Sequence, residues 1–328
     1  MLMKDKKMKI SVALCTYNGE KFLSYQIDSI LEQTISIDEI IVCDDGSTDS
    51  TIQILNSYKE KYPALFKIHI NKKNLRSVKN FEKAISLCEN DLIFLSDQDD
   101  IWVHNKVERI LRVFENDENI SVICTNGFGI DEQGKLLDVV CTWDAIEIVR
   151  QKDFIFDYYN ILNLVDNFCT GATMAIRKNI KKDIFPFPIK DGLHHDKWIS
   201  LVATLKNKFY FLNEKLIYYR SHPSQQVGNV FYDKKDKDLI VNYFSIERQK
   251  KSFSDYKRLL KKFYIAYKKN SLLKKELPEQ NIFFENNLNE IKKRFHDCKK
   301  EMNKKYPIKS KILAITDYIL NKRQMDSL

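Results

Sequence analysis

Leu92-Ile93-Phe94-Leu95-Ser96-Asp97-Gln98-Asp99-Asp100-Ile101-Trp102 carries the reading of the whole chain. A run of apolar residues passes straight into three carboxylates within four positions. Such a strand delivers charge to the open edge of a core. Desolvating unpaired carboxylates is costly, and crowding them adds like-charge repulsion. The cluster is tolerable where a hard divalent cation or several hydrogen-bond donors sit against it. Mg²⁺ and Mn²⁺ take few protein carboxylates and keep positions open for phosphate oxygens. The stretch therefore points to a metal-diphosphate site, against the plainer reading of an acidic helix cap following a strand.

The remaining sequence sets the frame. A length of 328 residues accommodates a large domain with an appendage. A hydrophobic fraction of 44% and a charged fraction of 30% fit a globular protein and not a disordered one. No apolar run reaches the length of a membrane span, and the basic start is not followed by a signal-like segment, so a cytoplasmic product is expected. Seven scattered cysteines argue against a disulfide framework or a zinc cluster. Cys43, Cys88 and Cys124 lie in apolar surroundings and read as small core residues. The formal charge of +9 is uneven: residues 231–328 hold 25 Lys+Arg and 13 Asp+Glu, a net of +12. The preceding residues hold 29 and 32, a net of −3.

Taken in order, Ile10–Leu14 reads as a buried strand and Cys15–Gly19 as a turn. Phe22, Ile27, Ile30 and Leu31 follow at helical spacing. Ile40–Cys43 is a second strand, ending in Asp44-Asp45-Gly46-Ser47-Thr48-Asp49, with a helix from Thr51 to Lys61. Ile68–Ile70, a helix over Asn80–Leu87 and a strand over Asp91–Ser96 complete the first half. Further on, Ile120–Cys124, Phe209–Leu212 and Leu216–Tyr219 read as separate strands. Alternation of apolar strands and helices predicts an α/β fold with a mostly parallel sheet covered by helices. In such sheets the loops leaving the carboxyl ends of strands build the site. That rule gathers Thr16-Tyr17, Asp44-Asp45 and Asp97–Asp100 on one edge. Neither a GxGxxG fingerprint nor a P-loop lysine motif is present.

With these stretches in place the chain resembles a family 2 glycosyltransferase of the nucleotide-sugar-binding GT-A fold. The resemblance rests on Val12–Gly19, Ser29–Thr34, Ile41–Asp49 and Ser96–Trp102, in that order, and spans roughly residues 8–230. The Asp-Gln-Asp-Asp-Ile-Trp form is similar to bacterial polysaccharide enzymes, many of them rhamnosyltransferases. The resemblance implies a catalytic domain over 1–230 and a basic, mainly helical region over 231–328. It implies that the backbone near Thr16 and Tyr17 faces a nucleobase, that Asp45 accepts from the pyrimidine N3–H, and that Asp44 supports the ribose side. Asp97 would lie near the ribose and donor sugar. Asp99 and Asp100, with His222 closing over, would hold Mn²⁺ or Mg²⁺. Arg220, in the closing segment Tyr219-Arg220-Ser221-His222, would approach the diphosphate. Lys79 and Arg76 stand where relatives carry other residues, with phosphate contact or solvated surface as the alternatives.

An inverting transfer needs a base within hydrogen-bond reach of the acceptor hydroxyl. Asp196, in His194-His195-Asp196-Lys197-Trp198, matches the family's catalytic aspartate; His195 is the other candidate, since an unperturbed imidazole suits proton transfer near neutrality. Small residues over Cys169–Thr173 allow a close approach of ligand or backbone. Residues 147–167 are expected to contribute to an acceptor wall. The expected donor is dTDP-rhamnose, with UDP-galactose, UDP-glucose or a UDP-N-acetylhexosamine as alternatives; the acceptor is a glycan or lipid-linked saccharide. A nucleotidyltransferase would need a Gly-rich basic first loop, which Thr16–Gly19 does not supply. In the tail, Leu259, Leu260, Phe263, Tyr264 and Tyr267 share a helical face bordered by lysines. That pattern predicts helical packing, with attachment to an anionic membrane surface as a compatible role and nucleic acid excluded as a partner.

Overall fold

The computed structural model describes residues 7–152, 157–190, 192–225, 230–245, 252–320 and 322–323. The described chain divides into two compact units, residues 1–147 with 167–237 and residues 148–166 with 238–328.

The first unit is built on β1 (Ile10–Thr16), β2 (Glu39–Asp44), β3 (Phe66–Ile70), β4 (Leu92–Ser96), β5 (Ile101–Trp102), β6 (Val122–Ile130), β7 (Val139–Cys141), β8 (Met174–Arg177), β9 (Phe209–Arg220) and β10 (Phe231–Asp233). Eight of these form one sheet in the order β3-β2-β1-β4-β8-β6-β9-β5. β3, β2, β1 and β4 pair in parallel, β8 runs against β4 and β6, and β9 runs parallel to β6. Only β8 and β5 oppose the shared direction. The sheet is thus mostly parallel, as the apolar strand pattern predicts. β1, β2 and β4 are buried along their whole length, because helices flank the sheet and no face is left for solvent. β7 and β10 make a separate antiparallel pair.

The helices of this unit are α1 (Leu23–Leu31), α2 (Thr51–Lys61), α3 (Arg76–Leu87), α4 (Lys106–Asn116), the start of α5 (Thr142–Lys152), α7 (Lys181–Ile184) and α8 (His195–Leu205), while α6 (Tyr158–Asn160) belongs to the second unit. All seven cysteines are buried and free, in keeping with their reading as small apolar residues.

Two elements differ from the sequence reading. Phe209–Leu212 and Leu216–Tyr219 are one strand, β9, whose pairing with β6 shifts register at Thr125/Asn126 and Asn126/Phe128. The polar Asn213-Glu214 step is absorbed by this irregularity and does not end the strand. Helix α3 begins at Arg76, which adopts a φ of +61°, the left-handed region that glycine enters without strain.

The second unit contains α9 (Lys237–Phe244), α10 (Phe253–Glu276), α11 (Asn281–Lys305) and α12 (Pro307–Ile319), together with a π-helical turn over Ile161–Val165. A capping box between Ser252 and Asp255 starts α10. Tyr256, Leu259, Leu260 and Phe263 of α10 pack with Ile291, Phe295, Cys298 and Met302 of α11 and with Leu313 of α12. This is the helical face predicted from the tail. Residues 148–166, read as part of an acceptor wall, fall in this second unit: Leu164 belongs to its core and Arg294 pairs with Asp157 and Glu290.

Candidate active site

The parallel strands end in loops that are stitched to one another. Thr16 closes β1 opposite Asp44 of β2, and its hydroxyl donates to Asp44 Oδ2 at 2.7 Å. The Asp44 carboxylate also accepts from Gly46 N, Ser47 N and Ser47 Oγ. Gly46, at φ +84°, turns the chain tightly enough for these donors to converge. The structure therefore places Asp44, fully buried, as the organiser of the loop after β2. Next to it, Asp45 Oδ1 accepts from Asn71 Nδ2 (2.9 Å) and Leu75 N (2.7 Å), and Oδ2 accepts from Arg76 N (2.8 Å). Asp45 thus joins the loop after β2 to the entry of α3. A carboxylate oxygen has two lone pairs, so Oδ2 keeps one for a ligand donor.

Gln98, the middle residue of the acidic motif, ties the first loop to the fourth. Its Oε1 accepts from Tyr17 N (2.7 Å) and its Nε2 donates to Tyr17 O (3.0 Å). A Cβ on Gly19 would come within 2.3 Å of Gln98 Oε1, so the glycine is needed for this bridge. Tyr17 stays 40% exposed.

The acidic loop separates into distinct environments. Asp97 is partly exposed. Burial first, and then the charges of Asp99 and Asp196, raise its carboxyl to about 8. Asp100 points inward: Oδ1 accepts from Arg220 N at 2.9 Å, and the buried Oδ2 has no hydrogen-bond partner. Burial and the two neighbouring acids push Asp100 well above the usual carboxylate range. Asp99 Oδ2 accepts from His222 Nε2 at 2.9 Å, with Ser224 Oγ 2.8 Å from the other ring nitrogen. Gln226, Val227 and Gly228, which continue the closing segment, lie outside the described residues.

Lys106, the first residue of α4, is completely buried beneath this loop. Its ammonium donates to Ala172 O at 2.7 Å and stands 4.2 Å from the centre of the Trp102 ring. Burial lowers its pKa to about 7, against the opposing pull of Asp100 and Asp97. It sets a buried amine against the acid cluster, whose charges favour its protonated form. A polar residue at the apolar position of a helix start was the only available signal.

Arg220 and Lys79 are committed elsewhere. The Arg220 side chain donates to Asp99 O, Asp131 O and Glu132 O, with its guanidinium over the Phe22 ring. It holds the acidic loop in place and does not project as a free cation. Lys79 donates to Phe187 O at 3.0 Å and pairs with Glu82.

Asp196 lies in the first turn of α8, only 6% exposed. Asn167 Nδ2 donates to its Oδ1 at 3.1 Å, and Lys197 N to the same oxygen at 2.6 Å. Among the described residues both donors fall on Oδ1, so Oδ2 is the oxygen suited to receive a proton. Burial raises the carboxyl to about 6, with those hydrogen bonds and His194 opposing the rise. His195 is placed quite differently. Its ring stacks on Phe81 with centroids 4.0 Å apart, neither nitrogen has a hydrogen-bond partner, and burial drives its pKa to about 3. Gly171 lies directly against it; a Cβ there would come 2.5 Å from Nε2. The close approach expected of the small residues is thus to the imidazole. A neutral, poorly basic ring packed between α3 and the Gly171 segment is not placed to accept a proton near neutrality.

The donor set also bears on the expected cation. Among the described residues no group of three or more His, Cys, Asp and Glu side chains is arranged to hold a metal ion alone. Two atoms bound to one octahedral cation at about 2.1 Å stand about 3 Å apart. The 2.9 Å between Asp99 Oδ2 and His222 Nε2 suits such a pair. A cation held there would need its remaining ligands from outside the described side chains.

Comparisons with known proteins agree with this architecture. The sequence profile described as glycosyl transferase family 2 matches residues 11–185. An uncharacterised glycosyltransferase of Nostoc sp. is 29% identical over 219 residues, 66% of this chain and 65% of its own, so the chain spans just under two thirds of that relative. The dTDP-rhamnosyl transferase RfbG of Shigella flexneri is 30% identical over 241 residues, 69% of this chain and 78% of its own. The fold is similar to that of S. aureus TarS 1–349 in complex with UDP-GlcNAc, with a TM-score of 0.51 at 18% identity over 88% of this chain and 92% of that one.

Proposed function

The chain belongs to glycosyl transferase family 2, and on that premise we propose that it transfers a sugar from a pyrimidine nucleoside-diphosphate donor to a glycan hydroxyl with inversion at the anomeric carbon. The observation that carries this reading is the juxtaposition of a raised, buried Asp196 with the Asp97–Asp99 loop, close enough for the charge of Asp196 to raise Asp97.

In this reading Asp196 Oδ2 accepts the proton of the acceptor hydroxyl. The acceptor oxygen forms a bond to the anomeric carbon as the bond from that carbon to the diphosphate breaks, and the electron pair leaves with the nucleoside diphosphate. One base is sufficient for a direct displacement, and no covalent nucleophile is required. The spare lone pair of Asp45 Oδ2 and the remaining lone pairs of the Thr16 and Tyr17 carbonyls hold the base, Asp97 the ribose and sugar. Mg²⁺ or Mn²⁺ at Asp99 and His222 would offset charge on the departing diphosphate. Asp100, Lys106, Gln98 and Arg220 set the shape of the loop that presents these groups.

The donor is stated at the level of its class. The RfbG relative carries dTDP-rhamnose in its name, but 30% identity does not carry a choice made by a few contacts to one sugar. UDP-hexoses and UDP-N-acetylhexosamines therefore stand beside dTDP-rhamnose. The acceptor is a growing surface polysaccharide or a lipid-linked saccharide. The test is a panel of UDP-glucose, UDP-galactose, UDP-N-acetylglucosamine, UDP-N-acetylgalactosamine, dTDP-rhamnose and GDP-mannose with Mn²⁺ or Mg²⁺, scored for nucleoside diphosphate release. Turnover of a pyrimidine donor supports the reading. Pyrophosphate release would identify a nucleotidyltransferase, and no binding of UDP or dTDP by calorimetry would overturn the site.

A further inference from the structure

Helix α12 is amphipathic in an unusual sense: it has a second apolar side. Ser310 and Leu313 are buried, and Leu313 joins the core of the second unit. On the opposite side Ile308, Ile312, Ile315 and Ile319 are 75%, 60%, 61% and 71% exposed. At about 100° per residue these four isoleucines fall within an arc of about 60°, directly across the helix from Ser310 and Leu313. Local structure does not call for them, because isoleucine is a poorer helix former than alanine, lysine or glutamate. Tyr318, 78% exposed, borders the stripe.

The charges around the stripe are of one sign. Lys311 lies on one flank and Lys309 on the other, with Lys304 and Lys305 before the helix and Lys322 and Arg323 after it. The only acid between residues 304 and 323 is Asp317, which pairs with Arg323 and lies toward the buried side. An apolar stripe edged by lysines is complementary to an anionic lipid surface, which accepts the side chains among its acyl chains and the ammonium groups among its headgroups. A second copy of the same stripe would bring like charges together. The helix is 13 residues, about 20 Å, against a hydrocarbon core of about 30 Å. Among the described residues no helix is long and apolar enough to cross a membrane.

We propose that α12 is a membrane-docking helix that lies in the plane of an anionic lipid surface with Ile308, Ile312, Ile315 and Ile319 inserted. The inference rests on the exposure and charge of α12 and does not require the transfer reaction. Its consequence for that reaction is that the second unit holds the enzyme at the surface where a lipid-linked acceptor resides.

The test uses the full chain in co-sedimentation with vesicles of phosphatidylcholine, with and without phosphatidylglycerol. The wild type is expected to pellet with the anionic vesicles, and less so as salt rises. Ile312→Ser with Ile315→Ser, both exposed, is expected to reduce binding by about tenfold or more with an unchanged melting temperature. Lys309→Gln with Lys311→Gln is expected to weaken binding and its dependence on phosphatidylglycerol. Absence of binding to anionic vesicles, or binding unaffected by the serine pair, would overturn the proposal. A concentration-dependent dimer that the serine pair abolishes, without lipid binding, would assign the stripe to a second copy instead.

Discussion

Substituting Asn167 by alanine should move the pH dependence of the reaction while leaving its alkaline plateau in place. As the proposed base Asp196 must be ionised, and burial raises its carboxyl to about 6. The acid limb of kcat/KM, which reports the free enzyme, is therefore expected near that value, with activity lost as pH falls through it. Asn167 Nδ2 donates to Asp196 Oδ1 at 3.1 Å and so favours the charged form. A hydrogen bond to a charged group contributes about 1.5–3 kcal/mol, or about 1–2 pKa units at 1.36 kcal/mol per unit. The bond is on the long side, so the lower end applies, and the limb should rise by about one unit, to about 7. The assay is nucleoside diphosphate release under kcat/KM conditions across the range from acid to alkaline pH. Thermal melts would follow the loss of the Asn167 contacts to Cys169. A limb that stays in place, or moves to lower pH, would show that the titrating base is not Asp196.

Three further outcomes follow from the geometry. Asp196→Asn removes a carboxylate whose folded pKa lies above its unfolded value of about 3.8, so wild-type stability falls as pH rises from there to about 6; the variant should be more stable by up to about 3 kcal/mol above pH 6 and equal to wild type below pH 4, measured by denaturant titration. Asp45→Ala leaves Leu75 N without its acceptor, while Asn71 Nδ2 keeps Asn80 Oδ1 and Arg76 N keeps Asn74 Oδ1, and should cost about 1–3 kcal/mol of stability together with a weaker affinity for UDP or dTDP by calorimetry. Gly171→Ala drives a methyl group to 2.5 Å from His195 Nε2, and should cost about 1–3 kcal/mol in a melt, most of it recovered when His195→Ser is added.

The fold was legible because its signals are local. Leu92–Ser96 and Ile40–Cys43 are short apolar runs closed by acids, and they are the buried strands β4 and β2 with their loops at one edge. The joining of β9 was not legible, since Asn213 and Glu214 look like a turn until β6 shifts its register to meet them. In the site, the sequence singled out Asp97, Asp99 and Asp196 but not their environments. His195 and Asp196 are neighbours in the chain, yet one is packed against Phe81 and Gly171 while the other faces Asn167 and the crevice. Which side of a helix start meets which partner is decided by packing from segments far away in sequence. The same holds for Arg220, whose donors are used by the carbonyls of Asp99, Asp131 and Glu132, and for Lys106, a lysine by type and a core residue by position.

The most direct test of the central claim is transfer by the Asp196→Asn enzyme at a pH well above 6, with its affinity for the nucleoside diphosphate measured in parallel. Loss of the general base should lower kcat by about 10²–10⁴ while the Kd for UDP or dTDP with Mn²⁺ stays within about threefold of wild type. A variant that turns over within about tenfold of wild type would contradict the account.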